Sequence, residues 1–115
     1  MKELIKVSGL QVAPAELEAL LLTHSKIKDA AVIGIPHEQK GEVPRAYVVI
    51  ASSNIEEKEV TEDEIKAFVA SKAAPYKQLK GGVEFVKEIP KSASGKILRR
   101  ILRDQLKKRL TLQES

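Results

Sequence analysis

The 115-residue sequence has no cysteine and no tryptophan, one methionine, two histidines and only 3% aromatic residues. Without cysteine there are no disulfides, thiolate metal sites or cysteine nucleophiles, which fits a reducing compartment. Two histidines, His24 and His37, leave little for a histidine metal site. With so few rings, stacking platforms for nucleic-acid bases are scarce. No apolar run approaches the 18 or more residues that cross a bilayer; Ala30–Pro36 is among the longest. No signal peptide is visible at Met1-Lys2-Glu3-Leu4, and Leu112-Gln113-Glu114-Ser115 is not a peroxisomal or reticulum address. The length, with 43% hydrophobic and 31% charged residues, reads as a single domain; an intracellular setting is expected, with cytoplasm or peroxisome undetermined.

What is present is unevenly charged. Residues 1–90 hold 12 basic and 14 acidic side chains; residues 91–115 hold 8 basic and 2 acidic, so an acidic body of −2 carries an end of +6. Such an end seeks an anion: a phosphorylated small molecule, a nucleic acid or an acidic protein face.

The patterning is that of an α+β domain: a small three-stranded sheet packed with helices, plus a short N-terminal hairpin. Two extended runs flank Ser8-Gly9. A first helix opens at Pro14, with Leu17, Leu20, Leu21 and Leu22 at helical spacing and Glu16 and Glu18 toward its positive end. His24-Ser25 closes it, and His24 sits favourably against its dipole. Strands follow over 30–35 and 45–51, with a polar loop over 36–43 that exposes His37. The run Glu56–Glu59 reads as a solvated loop. Thr61 and Glu64 form a capping box for a second helix, with Ile65, Phe68 and Val69 inward and Pro75 at its end. A third strand spans 83–89. A third helix runs from Lys96 or Ile97 to Leu110, with Ile97, Leu98, Ile101, Leu102 and Leu106 on its apolar side. The domain proper covers residues 1–110, with 111–115 as a frayed tail.

Two stretches stand out. In Pro90-Lys91-Ser92-Ala93-Ser94-Gly95-Lys96-Ile97, small residues precede a lysine at the mouth of the third helix. Loop N–H groups, the helix start and the Lys96 ammonium could together meet a phosphate or carboxylate. A P-loop is excluded, because the earlier glycine is absent and Ile97 stands where a magnesium-binding Ser or Thr belongs. On spacing alone, Lys96 is a solvated lysine. The second stretch, Lys2 to Glu18, is a hairpin and a helix start, with Gly9 at a positive-φ position and Lys6 as surface charge.

Together "KELIKVSGLQVAPAELE", "DAAVIGIPHEQKGEVPRAYVV" and "PKSASGKILRR" resemble the C-terminal domain of adenylate-forming enzymes over residues 2–110. With Gln11, Pro14 and Lys91-Ser92 the match is most similar to 4-coumarate–CoA ligases and luciferase-like acyl-CoA synthetases. The resemblance implies a lid domain that is inactive alone and serves a larger N-terminal adenylation domain. That larger domain would bind most of the ATP, CoA, Mg2+ and carboxylic acid substrate. Lys96 maps to the lysine that bridges carboxylate and α-phosphate during adenylation, with Ser94 and Gly95 shaping its loop. Lys2 maps to the hinge. Lys6 and Gln11 map to positions assisting thioester formation, and Gly9 to the passage for the pantetheine arm. The resemblance also implies that the N-terminus lies almost at the hinge, as in an excised domain. Two alternatives stand beside the ligase: a luciferase-type mono-oxygenase lid and a basic nucleic-acid-binding module built on the third helix, the latter without a helix-turn-helix or RNA-binding signature.

Overall fold

A computed structural model describes residues 4–51 and 60–114. Lys2 and the run Glu56–Glu59 lie outside the described residues. The elements are β1 (Ile5–Val7), β2 (Leu10–Val12), α1 (Pro14–Leu22), β3 (Ile27–His37), β4 (Gly41–Ile50), α2 (Glu62–Lys72), β5 (Val83–Phe85) and α3 (Arg99–Glu114). A short 3-10 turn at Pro75–Lys77 follows α2.

The hairpin and the three expected strands join in one five-stranded sheet, ordered β2-β1-β4-β3, with β5 also on β4. β4 is the spine. β3 pairs antiparallel along it from Ile27↔Ile50 to His37↔Gly41. Its other side is shared: β1 touches it at Val7↔Gly41, and β5 runs parallel to it at Ala46↔Val83 to Val48↔Phe85.

Alternation along β3 and β4 builds two cores. Ala30, Val32, Ala46 and Val48 face α1 and α2, where they meet Leu17, Leu21, Ile65 and Val69. Ala31, Ile33, Tyr47 and Val49 face the other way, onto Ile89 and Leu102. Both faces being covered explains why the two strands read as nearly continuous apolar runs.

Several expectations need correction. The polar loop over 36–43 is a three-residue turn, Glu38–Lys40, because both strands extend into it. Pro36 is tolerated in β3 because that is an edge strand. His37 is half-buried, not exposed: its Nδ1 accepts the N–H groups of Gln39 and Lys40 and shapes the turn. His24 likewise works locally, accepting Lys26 N–H and meeting the Phe68 ring edge-on. The third strand stops at Phe85, and residues 86–90 are irregular. α3 starts at Arg99 and runs through Glu114. Of its apolar residues Leu102 is buried, whereas Ile101 and also Leu22 of α1 are exposed. The capping box holds at its N-cap: Thr61 Oγ1 accepts the Glu64 N–H.

Candidate active site

The two stretches singled out by the sequence form two hairpins. Residues 90–98 double back on themselves. Leu98 N–H donates to the Pro90 carbonyl, Lys91 bridges Ile97, and Ser92 N–H donates to the Lys96 carbonyl at 2.8 Å. Gly95 N–H donates to the Ser92 carbonyl and has φ +87°. This is the hairpin loop in which a left-handed residue follows the turn, and glycine takes that conformation at no steric cost. Ser92 Oγ accepts the Lys96 N–H, and the Ser92 and Ser94 hydroxyls lie 3.0 Å apart.

Lys96 is therefore not at the mouth of a helix. The chain completes a hairpin and reaches Arg99 before α3 begins, so the helix dipole, which acts within its first turn, is not the source of positive charge. The lysine itself is exposed. Among the described residues no hydrogen bond or ion pair engages its ammonium.

Both stems of this hairpin are braced on β3. Lys91 Nζ pairs with Asp29 Oδ2 at 2.6 Å. Arg99 donates through Nε to the Val32 carbonyl at 3.1 Å and through Nη2 to Glu18 Oε1 at 2.6 Å. Glu18 Oε2 accepts the Val32 N–H at 2.8 Å. β3 is an edge strand, so the outward-facing N–H and carbonyl of Val32 have no strand to meet. Glu18 from α1 and Arg99 from α3 supply those partners and pair with each other. Arg99, Glu18, Asp29 and Lys91 were not foreseen in these roles. For Glu18 a signal existed: it shares the buried face of α1 with Pro14, Leu17 and Leu21, at spacings of three and four. A carboxylate on a buried face requires partners.

The second hairpin carries the other residues. Its loop is Ser8-Gly9, with φ of +51° and +84°. Two successive positive-φ residues are what a type I′ turn requires. Lys6 and Gln11 are directly opposite each other across the strands. Ile5, Val7 and Val12 are buried while Lys6 and Gln11 are exposed, so the structure brings these two polar side chains together on one outward face. The turn is tied to the β3–β4 connection by Ser8 N–H donating to the Lys40 carbonyl at 2.7 Å. Lys6 N–H donates to Glu42 Oε1 at 3.0 Å.

Among the described residues no group of three or more His, Asp or Glu side chains could hold a metal ion. No helix among the described residues is long and apolar enough to cross a membrane.

Comparisons with known proteins bear on the family and the fold. The sequence is 53% identical over 106 residues to 4-coumarate–CoA ligase-like 1 of Arabidopsis thaliana, covering 92% of this chain and 19% of that protein. It is 55% identical over 106 residues to 4-coumarate:CoA ligase 1 of Petunia hybrida, again covering 92% and 19%. It is 50% identical over 110 residues to phenylacetyl-CoA ligase epaB of Aspergillus niger, covering 95% and 20%. The chain thus spans about a fifth of the length of these relatives. Among solved structures, a fatty acyl CoA synthetase of Mycobacterium tuberculosis superposes with a TM-score of 0.77 at 36% identity, over 89% of this chain and 19% of that one. Apo MatB from Rhodopseudomonas palustris superposes with 0.81 at 29% identity, over 93% and 20%. Residues 16–96 match the family described as AMP-binding enzyme C-terminal domain, and with that match and these relatives the chain belongs to that family.

Proposed function

We propose that this domain is the mobile lid of an ATP-dependent carboxylate–CoA ligase and that its two hairpins serve two successive half-reactions. The observation that carries this reading is the setting of Lys96: exposed at a hairpin whose stems are both fastened to β3.

In the first half-reaction a carboxylate oxygen attacks the α-phosphorus of ATP. A new P–O bond forms, the bond to the bridging oxygen breaks, and pyrophosphate leaves. Two anions must approach, so the barrier is electrostatic. Lys96 supplies a cation between the carboxylate and α-phosphate oxygens. It moves no proton. Gly95 and Ser94 set the turn that presents it.

A rotation of the domain about the segment containing Lys2 then exchanges the faces presented to the larger domain. Lys6 and Gln11 come to the acyl-adenylate, and Gly9, which has no side chain, leaves room for the pantetheine arm. The thiolate of CoA attacks the acyl carbon, the C–O bond to AMP breaks, and AMP leaves. ATP, CoA and the carboxylic acid are held mainly by the partner domain, and the chain alone does no ligation.

The test is to join this chain to the N-terminal domain of the Petunia ligase. Adenylation is followed by ATP–pyrophosphate exchange, and thioester formation is followed from preformed acyl-adenylate and CoA. The fusion should perform both. Lys96→Ala should slow adenylation by roughly a hundredfold or more while sparing the thioester step. Lys6→Ala and Gln11→Ala should show the opposite selectivity. An unchanged exchange rate in Lys96→Ala sinks this reading.

A further inference from the structure

The strand that carries Lys6 is fastened to the rest of the sheet in an unusual way. A two-residue turn makes Val7↔Leu10 the hydrogen-bonded pair beside the loop and Lys6↔Gln11 the non-bonded pair beyond it. The Lys6 N–H and carbonyl therefore point away from β2 and toward β4. The β1–β4 ladder is a single pair, Val7↔Gly41. Its next rung would take the Lys6 N–H to the Glu42 backbone carbonyl. The Glu42 side chain takes it instead, through Oε1 at 3.0 Å. Beyond that rung stands Pro44, which has no N–H with which to continue a ladder. Room for this arrangement comes from β3. A Cβ on Gly34 would lie 3.2 Å from Glu42 Oε2, and 3.1 and 3.2 Å from Ile5 Cγ1 and Cγ2.

We propose that Glu42 is a positioning residue for the thioester-forming step: beyond the Ser8 N–H to Lys40 carbonyl bond at the turn, its carboxylate, in place of the next backbone rung, sets the height of β1 and with it the placement of Lys6 and Gln11. A carboxylate acceptor makes a shorter and stronger bond than a neutral carbonyl, and it fixes one strand position where a single ladder pair fixes little. Lys6 and Gln11 face each other on the outer side of β1 and β2, so a displacement of β1 moves both. The Lys96 hairpin is braced by Asp29, Glu18 and Val32 and touches neither Glu42 nor Lys6 through any of those bonds. Loss of Glu42 should therefore be felt in one half-reaction and not the other.

This inference rests on the lid reading above, and two measurements separate the two. The first is amide hydrogen exchange on the chain itself. Lys6 N–H should be protected in the native protein and in Glu42→Gln, which keeps an acceptor. It should be deprotected in Glu42→Ala while the amides of Ile33 and Val48 stay protected. The second uses the fusion with the Petunia domain. Glu42→Ala should slow thioester formation roughly ten- to a hundredfold, the scale of a misplacement of about 1 Å, with adenylation within about twofold of native. Glu42→Gln should recover most of the loss. Glu42→Asp keeps the charge but draws it back by one carbon, so it should lose the same step; it serves where the alanine variant does not fold. Equal slowing of both half-reactions, or full Lys6 protection in Glu42→Ala, overturns the proposal. A native fusion that makes acyl-adenylate but no thioester overturns the role of the hairpin, and with it the functional half of this inference, while the exchange result judges the contact separately.

Discussion

Replacing Glu18 by Ala is the most demanding test of how the edge of β3 is held. Two groups lose a partner at once. Val32 N–H, in a fully buried residue, loses a 2.8 Å acceptor, and Arg99 loses a carboxylate at 2.6 Å. The Glu18 side chain is 9% exposed and that of Arg99 19%. Breaking a buried ion pair by removing one partner costs about 3–5 kcal/mol. Arg99 keeps the Val32 carbonyl and some water, so the lower end applies, about 3 kcal/mol. For a chain of 115 residues each kcal/mol lowers Tm by about 4 °C, so the variant should melt about 12 °C early. Glu18→Gln keeps an acceptor for Val32 but turns an amide N–H2 or a neutral oxygen toward Arg99, and should lose about half as much. Replacing both partners by leucine should not restore stability, because both outward groups of Val32 would then lack partners. Thermal unfolding followed by far-UV circular dichroism reads all three. A drop below about 3 °C for Glu18→Ala would refute the assignment of these bonds to edge protection.

Two further predictions concern single groups. Glu62 Oε2 accepts the Val83 N–H at 2.9 Å and ties α2 to β5; that hydrogen bond, aided by Lys66 and Arg45, holds its carboxyl below the ordinary carboxylate range. A lowered folded value stabilises above the ordinary range, and the gain is lost as pH falls through the lowered value. Urea midpoints between pH 7 and pH 3 should therefore show native protein losing an advantage over Glu62→Gln that is present near neutrality; a gap independent of pH would contradict this. Gly95 has φ +87° and open space around its missing Cβ, so Gly95→Ala should cost only the left-handed conformation, about 1–2 kcal/mol. Gly81→Ala should cost more, since its Cβ would meet the Pro44 carbonyl oxygen at 2.8 Å; equal midpoints for the two would count against this distinction.

The helices and the β3–β4 pair were legible because local patterns decide them. Pro14 at the first turn, Thr61 before Glu64, and β-branched runs beside glycine and proline act over a few residues. What escaped is set by distant partners. β5 is only three residues because it pairs parallel to β4 across the whole of α2, and nothing within 83–89 marks where that pairing ends. α3 begins late because Ser92 and Gly95 close a hairpin first, although 96–98 has good helix formers. The same holds at the site. Lys96, Lys6 and Gln11 were picked out by motif, and the structure adds that Lys6 and Gln11 are cross-strand neighbours while Lys96 sits on a separate hairpin. The groups that hold these hairpins in place lie far off in sequence: Arg99 binds Glu18 across 81 residues, and Lys6 binds Glu42 across 36.

Those distances also bear on the division of labour proposed above. A lid that works in two orientations must present two faces without either one deforming the other. Here each face has its own fastening to the sheet. The Lys96 hairpin is pinned to β3 by the Lys91–Asp29 ion pair and by Arg99 donating to the Val32 carbonyl, and to α1 by the Arg99–Glu18 ion pair. The Lys6 hairpin meets β4 through one ladder pair and one carboxylate, and the turn before β4 through Ser8 N–H donating to the Lys40 carbonyl. Neither set shares a residue with the other, and both end on the β3–β4 ladder, the longest run of paired residues in the described sheet. Independent fastening to a common rigid ladder predicts that substitutions in the two sets are additive in stability. A coupling above about 0.5 kcal/mol between Glu42→Ala and Arg99→Ala in a double-mutant cycle would show that the two faces are mechanically one.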